Sequence, residues 1–330
     1  MYSIGLDISK SSVNVHVPLG TLDLEIENSL KSFKSLYTKL KKLYKKEIDK
    51  LTFVFESTGS YSVLLYRFCA DKNIKVFMIN PKQARNFARA IAQRNKSDVI
   101  DAQVLSQSIV VARENEIRVP VIDPVVEEMK ELMVYYKLRV KQRVQLSNHL
   151  ESLVARDGSK VLIRTVKAEI KSLKKSEDNI IEQVYSIILK SEYLSDKYDA
   201  VTSIDGIGKI GGIVLLHLFI KYPHANQRQI VSLAGLDPII RESGTSIRGK
   251  SRISKAGSRL YRGTLFMAAM ASTLHNVQMK VFYERLKAKG KHTTSAQIAV
   301  MRKLVVVAHS LYKSGEVYDK ELYKITTGVQ

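Results

Sequence analysis

Cysteine occurs once in the chain, at Cys69, so no internal disulfide can form and nothing in the thiol content points to an oxidising compartment. No run approaches the ~18 uninterrupted apolar residues of a membrane span. No positive segment precedes an apolar one at the N-terminus, so no secretory signal is expected and the expected location is cytoplasmic. The histidines His16, His149, His217, His224, His275, His292 and His309 lack close metal-ligand spacing and read as structural or exposed. A Rossmann fingerprint is missing too, since no third glycine and no clear preceding strand accompany Gly206-Ile207-Gly208. Acidic residues are the scarcer charge: 32 Asp and Glu stand against 53 Lys and Arg. Hydrophobic residues make up 45%, enough for a real core, which excludes a disordered chain, a collagen and a disulfide-stapled mini-protein.

The charge that results, +21 with a pI near 9.8, favours a polyanionic partner, nucleic acid first. Its distribution is uneven: +7 over residues 1–120, +2 over 121–198 and +12 over 199–330. Compositional drift would colour all three parts alike. The 330 residues suggest about two domains at roughly 150 residues each. The pattern along the chain divides them into an α/β part (1–120), a helical hairpin (121–198) and a mostly helical C-terminal part (199–330).

In residues 1–120, an apolar run ends at Asp7, and Val13, Val15, Val17 then Leu22, Leu24, Ile26 alternate with polar neighbours across a turn at Pro18-Leu19-Gly20-Thr21. Helical spacing follows over 30–44, a buried-type strand over 51–55 ending at Glu56, a helix over 61–68 and a strand over 74–79. Pro81 suits the first residue of a helix. Three strands followed by alternating helices and strands make a mixed α/β sheet. Residues 125–154 contain no Gly or Pro, and with residues 173–188 they form two amphipathic helices interrupted at Asp157-Gly158-Ser159. Such a hairpin serves as a spacer or an oligomerisation element. Residues 212–220, 264–274 and 295–312 read as further helices, with Met267 and Met270 expected in the core.

Asp7 and Glu56 each close a strand that belongs in the sheet core, where a carboxylate is costly unless paired or metal-bound. Asp98 and Asp101 follow Ser97, and if Ser97 caps a helix the two acids share one face. Taken singly, each acid has an ordinary reading as a helix-dipole complement, a solvent-facing group or a lysine partner. Together, four carboxylates offer the hard oxygen ligands that suit Mg²⁺ or Mn²⁺ for phosphoryl transfer.

The motifs Gly5-Leu6-Asp7-Ile8-Ser9-Lys10, Glu56-Ser57-Thr58-Gly59-Ser60-Tyr61, Ile79-Asn80-Pro81 and Asn95-Lys96-Ser97-Asp98-Val99-Ile100-Asp101-Ala102 resemble the DEDD-type transposases of bacterial insertion sequences, in that family's order and spacing. The resemblance implies a RuvC-like (ribonuclease H) N-terminal fold and makes Asp7, Glu56, Asp98 and Asp101 the catalytic, metal-binding tetrad.

Two features beyond residue 199 suit nucleic acid. Ile204-Asp205-Gly206-Ile207-Gly208-Lys209 fits a helix-hairpin-helix turn, in which Gly206 and Gly208 let backbone N–H groups approach a phosphate, with Lys209 beside them; many Gly-x-Gly segments are plain loops. Residues 239–262 read as a basic loop of net charge +6, carrying Arg241, Arg248, Lys250, Arg252, Lys255, Arg259 and Arg262 among Gly, Ser and Thr. Such a loop can follow a phosphodiester backbone. A serine in a polar loop is ordinarily a turn residue, and spacing does not choose among Ser243, Ser246, Ser251 and Ser254. The motifs Leu233-Ala234-Gly235-Leu236-Asp237-Pro238, Arg241-Glu242-Ser243-Gly244, Ile247-Arg248-Gly249 and Ser254-Lys255-Ala256-Gly257 are similar to the C-terminal domain of the same family, and the resemblance makes Ser243 the nucleophile.

The expected activity is therefore DNA transposition through a phosphoserine link to a DNA end, with Mg²⁺ or Mn²⁺ at the tetrad. The resemblance further implies a homo-tetramer, in which one chain's tetrad works with another's serine, and a structured noncoding bridge RNA as guide for donor and target DNA. Competing readings are a Holliday-junction nuclease that activates water on the same tetrad, a non-enzymatic nucleic-acid-binding protein, and a sugar-kinase or actin-like ATPase. The last lacks a second glycine-rich phosphate loop.

Overall fold

The structure, a computed structural model, describes residues 2–57, 59–95, 97–243 and 247–321, and of residues 115, 240–243 and 247–251 the backbone alone. The chain forms two compact units that meet in sequence between Ile122 and Asp123.

The N-terminal unit runs β1 (Tyr2–Ile8), β2 (Ser12–Val17), β3 (Leu22–Glu27), α1 (Leu30–Tyr44), β4 (Leu51–Glu56), α2 (Val63–Asp71), β5 (Lys75–Ile79), α3 (Pro81–Ala90) and α4 (Asp98–Gln107). The sheet order is β3-β2-β1-β4-β5. The first three strands form an antiparallel meander, while β4 and β5 run parallel to β1 and need helical crossovers. The alternation of side chains divides the sheet's two faces. Ile4, Leu6, Phe53 and Phe55 pack with Phe33, Leu36, Leu65 and Phe68 of α1 and α2. On the other face, Val54, Phe77 and Ile79 pack with Ala84 of α3 and Leu105 of α4.

The C-terminal unit contains α5 (Pro124–Ala155), α6 (Lys160–Leu189), α7 (Glu192–Thr202), α8 (Lys209–Lys221), α9 (Gln227–Leu233), β6 (Pro238–Ser243), β7 (Ile247–Ile253), α10 (Arg259–His275), α11 (Val277–Ala288) and α12 (Thr293–Ser314). Helices α5 and α6 are packed as a hairpin, whose turn is permitted by a positive φ of 49° at Asp157. Glu177, buried on α6, accepts a hydrogen bond from Arg143 Nε of α5 at 2.6 Å. The base of the hairpin is not a separate layer: Met129, Met133, Val184 and Ile188 belong to one core with Val201, Ile213, Leu216, Leu304 and Leu311. Helix α8 is buried from Gly211 through Phe219, as its all-round apolar sequence requires.

Two sequence expectations are corrected. Residues 239–262 are not one loop. Pro238–Ser243 and Ile247–Ile253 pair as antiparallel strands and α10 begins at Arg259, because isoleucines interspersed with polar residues satisfy a hairpin as well as a loop. Met267 and Met270 are not core: they are 62% and 44% exposed, since α10 turns Leu260, Leu265 and Ala269 inward.

Candidate active site

Asp7 and Glu56 lie on neighbouring strands. Leu6 is opposite Phe55 in the parallel β1–β4 register, so the next pair along is Asp7 and Glu56. Both are half-buried. Strand alternation places Ser3, Gly5 and Asp7 on the face of β1 that meets α4. Ser106 Oγ donates to the Ser3 carbonyl at 2.7 Å, and Ala102 and Ser106 lie directly over Gly5. Four helical residues rise about 6 Å and two strand residues about 6.6 Å. Helix α4 therefore runs antiparallel to β1 in step with it, and its first residue, Asp98, falls at the Asp7 end. Asp101 lies one helical turn before Leu105, which packs with Val54 and Ile79, so Asp101 is on the side of α4 toward β4 and β5.

Local chemistry fixes this helix. Ser97 caps it by accepting the Ile100 N–H at 3.3 Å. On the side away from Asp101, Gln103 Nε2 donates to Asp23 at 3.0 Å, and His16 Nδ1 sits 2.7 Å from the same carboxylate. Asp7, Glu56 and the first turn of α4, which carries Asp98 and Asp101, thus lie at the same end of the sheet, a corner where the C-terminal ends of β1 and β4 meet the N-terminus of α4. Asp7 and Asp101 are half-buried and Asp98 is exposed. Among the described residues no three His, Cys, Asp or Glu side chains close into a preformed cage. The donor set is nonetheless all oxygen, which fits a hard divalent cation and disfavours zinc.

In the C-terminal unit, Ser243 is the last residue of β6, opposite Ile247 at the turn end of the hairpin. Arg241, Arg248 and Lys250 are on the same two strands; their side chains, like all of Gly244 and Ser246, lie outside the described residues. Arg252 and Lys255 are exposed. Ser254 Oγ donates to the Asp237 carboxylate, and Arg262 donates to the Gly257 carbonyl, so both hold the loop between hairpin and α10.

Residues 203–208 do join two helices, α7 and α8, with Gly206 at a φ of +97°. The reason for that glycine is packing. A Cβ there would collide with the backbone and Oγ of Ser272 on α10, and Ser272 Oγ donates to the Asp205 carbonyl at 3.1 Å. Gly208 is different: it precedes α8 with open space around it. Lys209 is engaged within the chain, 2.6 Å from Glu182 and over the Tyr185 ring at 4.2 Å.

A family model described as a transposase, of DEDD and IS110 type, matches residues 4–156, and one described as "Transposase IS116/IS110/IS902 family" matches residues 198–284. The chain belongs to the IS110 family of transposases. It is a DNA-cutting and rejoining enzyme with a RuvC-like N-terminal unit and a helical C-terminal one. A DEDD-type domain implies divalent-metal use in general. The chain is 25% identical over 280 residues to the "Pilin gene-inverting protein" of Moraxella bovis, covering 83% of this chain and 84% of that one. It resembles the protein of the same name from Moraxella lacunata to the same extent. It is 28% identical over 145 residues to the "Insertion element IS110 uncharacterized 43.6 kDa protein" of Streptomyces coelicolor, 43% of this chain and 34% of that one. Among the described residues of this transposase no helix is long and apolar enough to cross a membrane.

One feature was missed from the sequence. Residues 72–96 hold seven lysines and arginines and no acid. This run equals the entire net charge of residues 1–120.

Proposed function

We propose that this transposase exchanges DNA strands through a covalent phosphoserine intermediate on Ser243, with Asp7, Glu56, Asp98 and Asp101 holding Mg²⁺. The observation that supports this most is the meeting of the Asp7 and Glu56 strand ends with the α4 N-terminus at one corner of a DEDD-type domain. A bound divalent ion would polarise a phosphoryl oxygen and stabilise a leaving oxygen. The chain's own residues supply the remainder. Ser243 Oγ attacks the scissile phosphorus and loses its proton. The bond from phosphorus to the 3′-oxygen breaks and that oxygen leaves as a hydroxyl. A 3′-hydroxyl of another strand then attacks the phosphoserine and returns the serine. No high-energy cofactor is consumed, because each phosphodiester broken is replaced by one formed. Arg241 and Arg248, on the strands flanking Ser243, would neutralise the equatorial phosphate charge.

Inversion of a DNA segment, which the names of the Moraxella relatives describe, requires this strand exchange. Several strands must be cut and each chain has one Ser243, so the working unit is a multimer, proposed as a tetramer in which the acidic corner and the serine come from different chains. Guidance by a structured noncoding RNA is part of the same proposal, supported by the basic charge of the chain. The test is to incubate the protein with element-end DNA and Mg²⁺ and to isolate a protein–DNA adduct. Ser243→Ala and Asp7→Ala are each expected to abolish it. An adduct surviving Ser243→Ala would remove Ser243 from the role, and cutting with no adduct would favour activated water.

A further inference from the structure

The described part of the basic run, residues 72–95, acquires a shape in the structure. Its centre is α3, where Lys82, Arg85 and Arg89 are all exposed. Their spacing puts them on one helix face with Asn86, and with Pro81 they border a shallow depression of about 400 Å³. Among the described residues none of the three has a carboxylate within 4.0 Å. The opposite face is committed to the fold, with Ala84 packed among Ile79, Phe77 and Leu105. Three like charges at this spacing disfavour a helix, so the stripe is not there for helix stability.

Its position gives it a use. Ile79 at the end of β5 is opposite Glu56 in register, and Asn80 caps α3 by accepting the Lys82 N–H at 2.9 Å. The helix therefore starts at the same sheet edge as the acidic corner. From Lys82 to Arg89 is about 10 Å along the axis. One DNA strand presents a phosphate about every 3.4 Å of axis, so this span matches about three.

We propose that α3 is a backbone clamp for DNA, with Lys82, Arg85 and Arg89 neutralising consecutive phosphates of the strand delivered to the acidic corner. This rests on the corner being where strands are cut. The contacts are to phosphate, so they position DNA without reading its sequence.

The test uses the full chain and a short fluorescein-labelled duplex of arbitrary sequence, titrated at a series of salt concentrations. The variant carries Lys82→Gln, Arg85→Gln and Arg89→Gln together. Its log–log salt slope is expected to be shallower than wild type by about 2.7, at about 0.9 per phosphate. Between roughly 50 and 200 mM salt the wild type then loses about 40-fold more affinity than the variant. Arg85→Gln alone should lower the slope by about 0.9, and Arg85→Lys should restore it. Wild-type binding with an unchanged slope in the triple variant would overturn the clamp and leave the transposase reading intact. A slope that falls on a folded RNA hairpin and not on the duplex would overturn it also, by assigning α3 to RNA. A wild type that binds no duplex at any salt would instead count against the acidic corner acting on DNA.

Discussion

Ala102 of α4 lies so close over Gly5 of β1 that a Cβ on Gly5 would overlap the Ala102 carbonyl oxygen and crowd the Ser106 amide. This contact sets the height of α4 above the sheet, and with it the distance between the acids on α4 and those on the strands. Gly5→Ala is expected to lift the helix, lowering stability by about 3 kcal/mol and abolishing DNA cutting. The conflict is with main-chain atoms, so Ala102→Gly should not rescue it. Urea midpoints and cutting assays on the single and double variants check both statements.

The acidic corner makes a different prediction. Asp7→Asn and Asp98→Asn change a half-buried and an exposed side chain conservatively and should leave the chain folded, with Asp98→Asn costing no more than the roughly 0.3–1 kcal/mol of an acid at a helix N-terminus. Cutting should fall by more than the roughly 10–100-fold that outer-shell changes cost at a metal site. Millimolar Mg²⁺ should raise the melting temperature of wild type and not of either variant, by linkage of binding to folding. A wild type indifferent to Mg²⁺ would contradict the metal assignment.

The sheet was legible because each strand carries its own signature. Asp7 and Glu56 stood out as carboxylates ending apolar runs, and Ser97 announced the helix that bears Asp98 and Asp101. Three things were not legible. The packing of Gly206 against Ser272 is hidden because the two are far apart in sequence and no local pattern reveals it. The strands around Ser243 were concealed by the polar, glycine-containing composition that loops share. Met267 and Met270 were misplaced because an uncharged helix looks buried all round until its neighbours are known.

His217 carries a pH dependence. Burial, reinforced by the nearby Lys221 charge, lowers its imidazole to about 4 from an ordinary 6.5. In the unfolded chain this histidine takes its proton near 6.5, whereas in the fold it remains neutral until about 4. The unfolded state thus binds more protons in that window, and stability falls as pH drops from 6.5 toward 4, by on the order of 3 kcal/mol in all. Tyr261 OH is 3.0 Å from His217 Nδ1, so His217→Gln keeps a polar neighbour for it while removing the titration. The melting temperature of the variant should fall less steeply with acid than that of wild type.

An ion pair joins the two helices of the hairpin above their shared apolar core. Glu177 is buried on α6 and meets Arg143 of α5, whose side chain is 31% exposed. Arg143→Met leaves a buried carboxylate without its partner. The cost should lie below the roughly 3–5 kcal/mol of a fully buried pair, because water reaches the arginine side. Adding Glu177→Met should recover part of the loss by removing the stranded charge. A double-mutant cycle in urea measures both.

The two glycines between α7 and α8 differ: Gly206 is packed against α10 and Gly208 faces open space. Gly206 combines a φ of +97° with contact against the Ser272 backbone, so Gly206→Ala meets both strain and collision. A left-handed conformation alone costs about 1–3 kcal/mol, and the collision adds to it. Gly208 has extended backbone and nothing within 4 Å of a would-be Cβ, so Gly208→Ala should change stability by no more than about 1 kcal/mol. A methyl group there nonetheless intrudes at the start of α8, where a phosphate would approach the helix N-terminus. If the turn contacts DNA, Gly208→Ala weakens duplex binding with stability intact. If binding is unchanged, the turn is a packing device and makes no measurable contact with the duplex.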